Sequence, residues 1–538
     1  MLDELTRATA EDLLRRDVVS RIWARDARVW DPAGTAASPS VHHGIAHRLG
    51  WLDAPATMKA HIRRVSEAAH EIKNAGFTTA YLLGMGGSSL CAEVLRDVCG
   101  VRDGGLKVHV LDTTDEATLN AAAGRLDDGA TLFLVASKSG STVEVSAMER
   151  FFASEVRRRH SDHGRRFLAI TDPGTVLEHH ATREGYRAIF VNPPDIGGRF
   201  SALSLFGLVP AALLGLVLRD LLDAGVECAE GCRQTNLTNP GLVLGSFIGG
   251  WSRAGRDKLT LLLPPSMKSF GLWVEQLVAE STGKLGTGTL PVVDEPLGRP
   301  DEYGDDRAFV ALATDDDAPD GAPLDALERA GHPVLRVNTR RAALGAEFFR
   351  WEFATAVAGA VLHVNPFDEP NVTESKDRTK ALLERYAAEG RLPDAGSATV
   401  DDVHRLLASI RSGDYVAFLS YLSPDATVAS TMEDIRLAIR RRNRVATTFG
   451  IGPRYLHSTG QYHKGGPDRG LFVLLTMDDA TATPVPGMPY SFSVLKRAQA
   501  LGDLQALEAR SRRVIRLHIR RGDNPAQALA DVFRRALE

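Results

Sequence analysis

Six short segments carry residue types at spacings suited to holding an anion and moving a proton. GMGGSS (84–89) leaves an apolar stretch and opens a helical one. Its glycines let backbone N–H groups approach an anion, and a helix N-terminus adds unpaired donors. Gly86, Gly87 and Ser88 are the candidates there. The spacing is not that of a dinucleotide loop, because Ser89 stands where the third glycine belongs, and no Walker lysine follows. SKSGSTVE (137–144) sets Ser137, Ser139, Ser141 and Thr142 around Lys138, again between strand and helix. Capping a helix needs one hydroxyl; four beside a lysine point to a phosphate. In NPPDIGGRFSALS (192–204) the glycine pair ending at Gly198 leaves Arg199 able to reach a cleft and stabilise an oxyanion.

The remaining three segments lie further along. WVEQLVAESTGKLGTG (273–288) ends a helix at Ser281-Thr282-Gly283, which puts Glu280 at a helix C-terminus. The helix dipole there disfavours negative charge and raises a carboxyl pKa, as a general base needs. HVNPFDEPNVTESK (363–376) carries Lys376 in a new helix, and GPRYLHSTGQYHKGGPDRG (452–470) is a glycine-rich loop around His457, His463 and Lys464. Only 11 of the 64 basic residues are lysine, yet Lys138, Lys284, Lys376 and Lys464 all fall inside these segments. A compact, titratable cation differs in use from a guanidinium.

The elements that must position these loops follow from hydrophobic patterning. TTAYLLGM, LKVHVLD, TLFLVAS, RFLAITD and YRAIFVN read as continuous apolar strands separated by helices, including 88–98 and 143–158. That pattern belongs to a parallel sheet covered on both faces. A second such unit holds KLTLLLP, FVALAT and PVLRVN, with helices over 270–280 and 344–362. After a loop at 390–402 come YVAFLSYL, an Arg-rich helix over 427–443, VATTFG, GLFVLLT and a terminal helix, expected to complete the second sheet. The N-terminal fifty residues read as helix followed by the loop DPAGTAASPSVHHG. The division is therefore 1–50 helical, 51–235 first α/β unit, 236–390 second, and 391–538 an α/β extension.

Composition narrows the classes of function. The 64 Lys+Arg and 68 Asp+Glu nearly cancel, leaving a net charge of −4 and no electrostatic footprint for nucleic acid or an anionic membrane. Four scattered cysteines are no disulfide framework and suit the cytoplasm; Cys228 and Cys232 lack further ligands at zinc-finger spacing. The charged N-terminus lacks the apolar core of a signal peptide. The apolar run 202–218 is 17 residues with an internal Pro210, which suits a buried helix better than a membrane span.

Together the segments resemble the phosphoglucose isomerase family. GMGGSS is similar to its first glycine-serine loop, SKSGST to its phosphate loop and IGGRFS to its glycine-glycine-arginine signature. VAESTGK resembles the segment of its catalytic glutamate, and FDEPNVTESK its C-terminal lysine signature. RIWARDARVW and YLHSTGQYHKGGP resemble the isomerase half of bifunctional transaldolase/phosphoglucose isomerases, with no room left for a transaldolase barrel. The resemblance implies two doubly wound, five-stranded sugar-isomerase (SIS) domains and interconversion of glucose 6-phosphate and fructose 6-phosphate without metal or other cofactor. It implies a homodimer, and a separate transaldolase as partner. Carried over, Glu280 is the base between C2 and C1, Arg199 stabilises the enediolate, and Lys376 assists ring opening. Ser88, Ser137, Ser139, Ser141 and Thr142 hold the phosphate. Two departures stand out: Glu369 occupies a usual glutamine position, and 285–307 contains no histidine where the family's ring-opening histidine lies. The Gly460-Gln461 pair points instead to His463, with His457 as the alternative. A dual phosphoglucose/phosphomannose isomerase, a sugar-phosphate-binding SIS regulator and an aminosugar synthase are the competing readings. A regulator has no use for Glu280, Arg199 and Lys376 together, and the synthase needs an N-terminal nucleophilic cysteine absent from Met1-Leu2-Asp3.

Overall fold

A computed structural model describes residues 2–30, 39–126 and 130–538, with the side chains of 39–42 left aside. The first part of the expected loop after Trp30, residues 31–38, lies outside the described residues, and the rest of it is not loop but helix Pro39–Ala46.

Three all-parallel sheets carry the chain. The first holds β1 (Thr79–Gly84), β2 (Lys107–Leu111), β3 (Thr131–Ala136), β4 (Phe167–Thr171) and β5 (Ala188–Val191), in the order β2-β1-β3-β4-β5. The second holds β6 (Lys258–Leu262), β7 (Leu290–Val292), β8 (Arg307–Ala313) and β9 (Val334–Asn338), in the order β7-β6-β8-β9. β3 and β6 are buried along their whole length, as strands covered by helices on both faces must be. The doubly wound expectation is met, although the second sheet has four strands among the described residues rather than five.

The C-terminal extension departs from expectation. β10 (Tyr415–Ser420), β11 (Ala446–Ile451), β12 (Gly470–Met477) and β13 (Arg513–Ile519) form a third sheet of their own, ordered β11-β10-β12-β13, instead of completing the second. β10 is apolar on both faces and pairs on both sides, so it founds a sheet rather than extending one. All three sheets share one winding: the second strand pairs on one side of the first, and the third strand on the other.

Tight helix crossings hold the middle of the molecule. Added Cβ atoms at Gly245 and Gly249 would lie 2.5 Å and 2.7 Å from Val357 and Val361 Cβ, so helix Pro240–Arg253 meets helix Leu344–Leu362 almost backbone to backbone. The N-terminal helices cap this pair: Trp30 Nε1 donates to Ala356 O at 2.7 Å. The apolar run 202–218 contributes the buried helix Leu205–Leu213. Among the described residues no helix is long and apolar enough to cross a membrane.

Buried ion pairs lock the third sheet to the other two. Arg440 meets Glu302 at 2.6 Å and Glu295 at 3.6 Å beside the second sheet. Lys496 reaches Asp115 at 3.0 Å, and Arg454 reaches Asp112 at 2.6 Å, on the first.

Candidate active site

The loop after β1 and the glycine pair before Arg199 are pressed together. An added Cβ on Gly87 would lie 2.0 Å from Gly198 O, and one on Gly86 (φ +54°) 2.8 Å from Gln276 Nε2 and 3.0 Å from His457 O. Here the chain requires glycine because backbones touch. Gly198 itself faces open space. Ser88 is buried beside them.

Arg199 is buried, and all five of its N–H donors are engaged. Nε donates to Ser281 Oγ at 2.8 Å. Nη2 donates to Pro366 O at 2.8 Å and Asp368 O at 2.7 Å. Nη1 serves two carboxylates, Glu280 Oε1 at 3.2 Å and Glu369 Oε2 at 3.0 Å. The expected free guanidinium is thus a saturated one; an enediolate oxygen would take over one of these donors.

Helix Phe270–Thr282 presents Glu280 two residues before its end. The carboxyl pKa is raised, chiefly by burial and further by Glu369, while Arg199 opposes the shift. Burial therefore does what the sequence reading assigned to the helix dipole. One turn earlier, Gln276 Nε2 donates to Glu280 Oε2 at 3.0 Å and to His457 O at 2.8 Å. Glu369 is held below the usual carboxylate range: burial would raise it, but Arg199, Arg48 and Lys284 prevail. Lys284 is pushed down to about 8 by burial and by Arg199. Its ammonium grips Asn365 O and Asp368, fixing the loop that carries Glu369.

The serine loop after β3 lies at the mouth of a cavity of about 750 Å³. Ser139, Ser141, Thr142, Lys376 and His457 line it. Ser139 and Ser141 are exposed, and Ser137 Oγ is buried against Thr142 Oγ1 at 3.0 Å. The N-terminus of helix Val143–Arg157 completes the cradle. Lys138 does not join it; its ammonium pairs with Asp172 and with Pro194 O at 3.1 Å.

The two histidines have opposite fates. His463 is buried in the third unit's core, its Nδ1 3.0 Å from Tyr415 Oη and its ring against Phe472. Burial pushes its pKa down to about 3, so the ring is uncharged near neutrality. The short helix Gly460–Gly465 turns it inward, which overturns its assignment as the ring-opening group. His457, the alternative, lines the cavity with Nε2 3.0 Å from Glu144 Oε1. Glu144 is buried, and His457 is the main influence holding its pKa low against desolvation.

Sequence reasoning passed over Glu144, Gln276 and Gln499, whose Nε2 donates to Glu144 at 2.7 Å. The signal for Gln276 was its place four residues before Glu280 on one helix face; Gln499 had none. A buried knot supports the far wall: Asp503 accepts from Lys464 at 2.7 Å, Tyr455 Oη at 2.8 Å and Ser375 Oγ at 2.9 Å. Those partners neighbour His457 and Lys376 in the chain.

Several known proteins are similar to this chain in sequence or fold. The family model described as phosphoglucose isomerase matches residues 53–299. A glucose-6-phosphate isomerase of Rubrobacter xylanophilus is 29% identical over 395 residues, 62% of this chain and 89% of that protein. One from a Cyanothece species is 32% identical over 278 residues, 47% of this chain and about half (51%) of the relative. A protein of Thermus thermophilus titled hypothetical shares the fold with a TM-score of 0.60 at 23% identity, over 71% of this chain and 99% of that one. A Chlamydia trachomatis glucose-6-phosphate isomerase does so with 0.56 at 17%, over 71% and 86%. The matched segment spans the serine loops, Arg199 and Glu280, and over it the chain is similar to phosphoglucose isomerases.

Proposed function

We propose that this chain interconverts glucose 6-phosphate and fructose 6-phosphate by proton transfer through a cis-enediolate, with Glu280 as the base. The observation that carries the reading is the buried Arg199–Glu280 pair, joined through Gln276 to His457, which lines the serine-loop cavity. The phosphate sits on Ser139, Ser141, Thr142 and the helix N-terminus behind them. His457 donates its Nε2 proton to Glu144, which leaves Nδ1 to exchange a proton with the ring oxygen or anomeric hydroxyl as the sugar opens; Lys376 adds positive charge at the same wall. Glu280 then removes the C2 proton of the open aldose and returns it to C1. A single carboxylate serves both carbons because they are neighbours on one face of the enediol. Arg199 stabilises the oxygen that gains charge.

The test is a coupled assay of fructose 6-phosphate conversion with EDTA present, on wild type and Glu280→Gln. Loss of a general base lowers kcat by about 10²–10⁴-fold. An unaffected Glu280→Gln enzyme removes the mechanism; turnover lost to EDTA removes the metal-free reading.

A further inference from the structure

The third sheet repeats the winding of the first, and it carries a cavity at the corresponding place. In the first sheet the strand order reverses between β1 and β3, and the two anion loops follow those strands. The counterparts in the third sheet are β10 and β12. A cavity of about 460 Å³ opens at their C-terminal ends, lined by Tyr421 after β10 and by Asp478 and Asp479 after β12. Ligands of open α/β sheets bind at the carboxyl ends of strands beside such a reversal. The volume suits a small metabolite.

The lining is cationic and incompletely paired. Asp479 is taken by Lys496, while Asp478 meets His518 Nε2 at 3.2 Å but keeps its charge, because burial lowers the His518 pKa. That leaves Arg391, Arg497 and Arg516 in the wall with no carboxylate partner among the described residues. Arg516 is the built element. Only 8% exposed, it donates from Nη1 to Gly396 O, while its buried Nε has no partner. Burial lowers its proton affinity first and Arg497 next, while Asp394 and Asp478 raise it. An oxyanion in the cavity would give the Arg497 and Arg516 guanidiniums a charge-assisted partner. The serine-loop cavity uses different residues throughout.

We propose that the third sheet holds a second anion site, in which Arg497 and Arg516 bind the phosphate of a small phosphorylated ligand. The probe is radiolabelled inorganic phosphate in equilibrium dialysis, with chloride in large excess and Ser139→Ala/Ser141→Ala added to disable the first loop. The expected result is saturable binding near one phosphate per chain in that double variant. Adding Arg497→Gln weakens it about tenfold or more, the effect of one charge-assisted hydrogen bond. Arg497 is exposed, so Arg497→Gln in the wild-type background retains its isomerase kinetics and reports a folded protein. Arg516→Gln gives the same loss of binding. Absence of saturable phosphate in the serine variant, binding indifferent to Arg497→Gln, or equal competition by chloride would overturn the site. None of these results depends on the isomerase reading.

Discussion

Replacing Glu369 by Gln isolates the feature in which this chain departs from the phosphoglucose isomerase pattern it resembles. Glu280 and Glu369 both reach Arg199 Nη1, at 3.2 Å and 3.0 Å, so their facing oxygens lie no more than about 6 Å apart. At an effective dielectric near 20, two charges at that separation repel by about 3 kcal/mol, or ~2 pKa units. The Glu369 side chain is 35% exposed, and solvent screening reduces the effect to ~1 unit. Arg48 and Lys284 act on Glu369, and His457 acts on Glu280; the substitution leaves all three in place. Glutamine retains an oxygen to accept from Nη1. Since Glu369 raises the Glu280 pKa, its neutralisation lowers it. The acidic limb of kcat/KM, which reports the free enzyme's base, therefore moves to lower pH by about one unit. The assay is the pH profile of fructose 6-phosphate turnover for wild type and Glu369→Gln. A limb that stays in place, or moves upward, refutes the electrostatic coupling.

Other substitutions separate positioning from chemistry. His457→Ala should slow turnover of cyclic sugar phosphate by about 10²-fold or more while sparing open-chain substrate, measured with the two substrate forms side by side. His463→Ala should leave kcat near wild type and lower stability by about 1–3 kcal/mol, because Tyr415 Oη loses its partner; denaturant melts read this. Gly87→Ala drives a methyl to within 2.0 Å of Gly198 O, and the displaced loops should cost about a hundredfold in kcat/KM. Asp503→Asn leaves Lys464 charged and unpaired in the core, at a cost of about 3–5 kcal/mol in melts near neutral pH. The folded pKa of Asp503 lies below 3.8, so the wild-type advantage is present above 3.8 and fades as pH falls through the folded value.

How much was legible can be judged strand by strand. The interior strands β1, β3, β4, β6, β8, β10 and β12 announce themselves as apolar runs, since both faces are covered by helices. β7 and β13 escaped notice. Each is an outermost strand: β7 is three residues with a proline, and β13 mixes two arginines and a histidine among its aliphatic residues. Without β13, three C-terminal strands looked like a supplement to another sheet rather than a sheet of their own. Helix Phe492–Ala509 was likewise unread, and with it Gln499 and Asp503.

The sequence alone determined the local chemistry: which loops offer hydroxyls and bare backbone at helix starts, and which carboxylate and guanidinium lie in signature segments. Those properties depend on neighbours within a few residues, and spacing records them. Tertiary structure alone decided which histidine meets the cavity, that Lys138 turns to Asp172, and that Arg199 already spends every donor. His457 and Glu144 are 313 residues apart in the chain, and their meeting depends on how a third sheet docks against a first. No local pattern encodes a docking angle; burial and ion pairing between distant elements fix it.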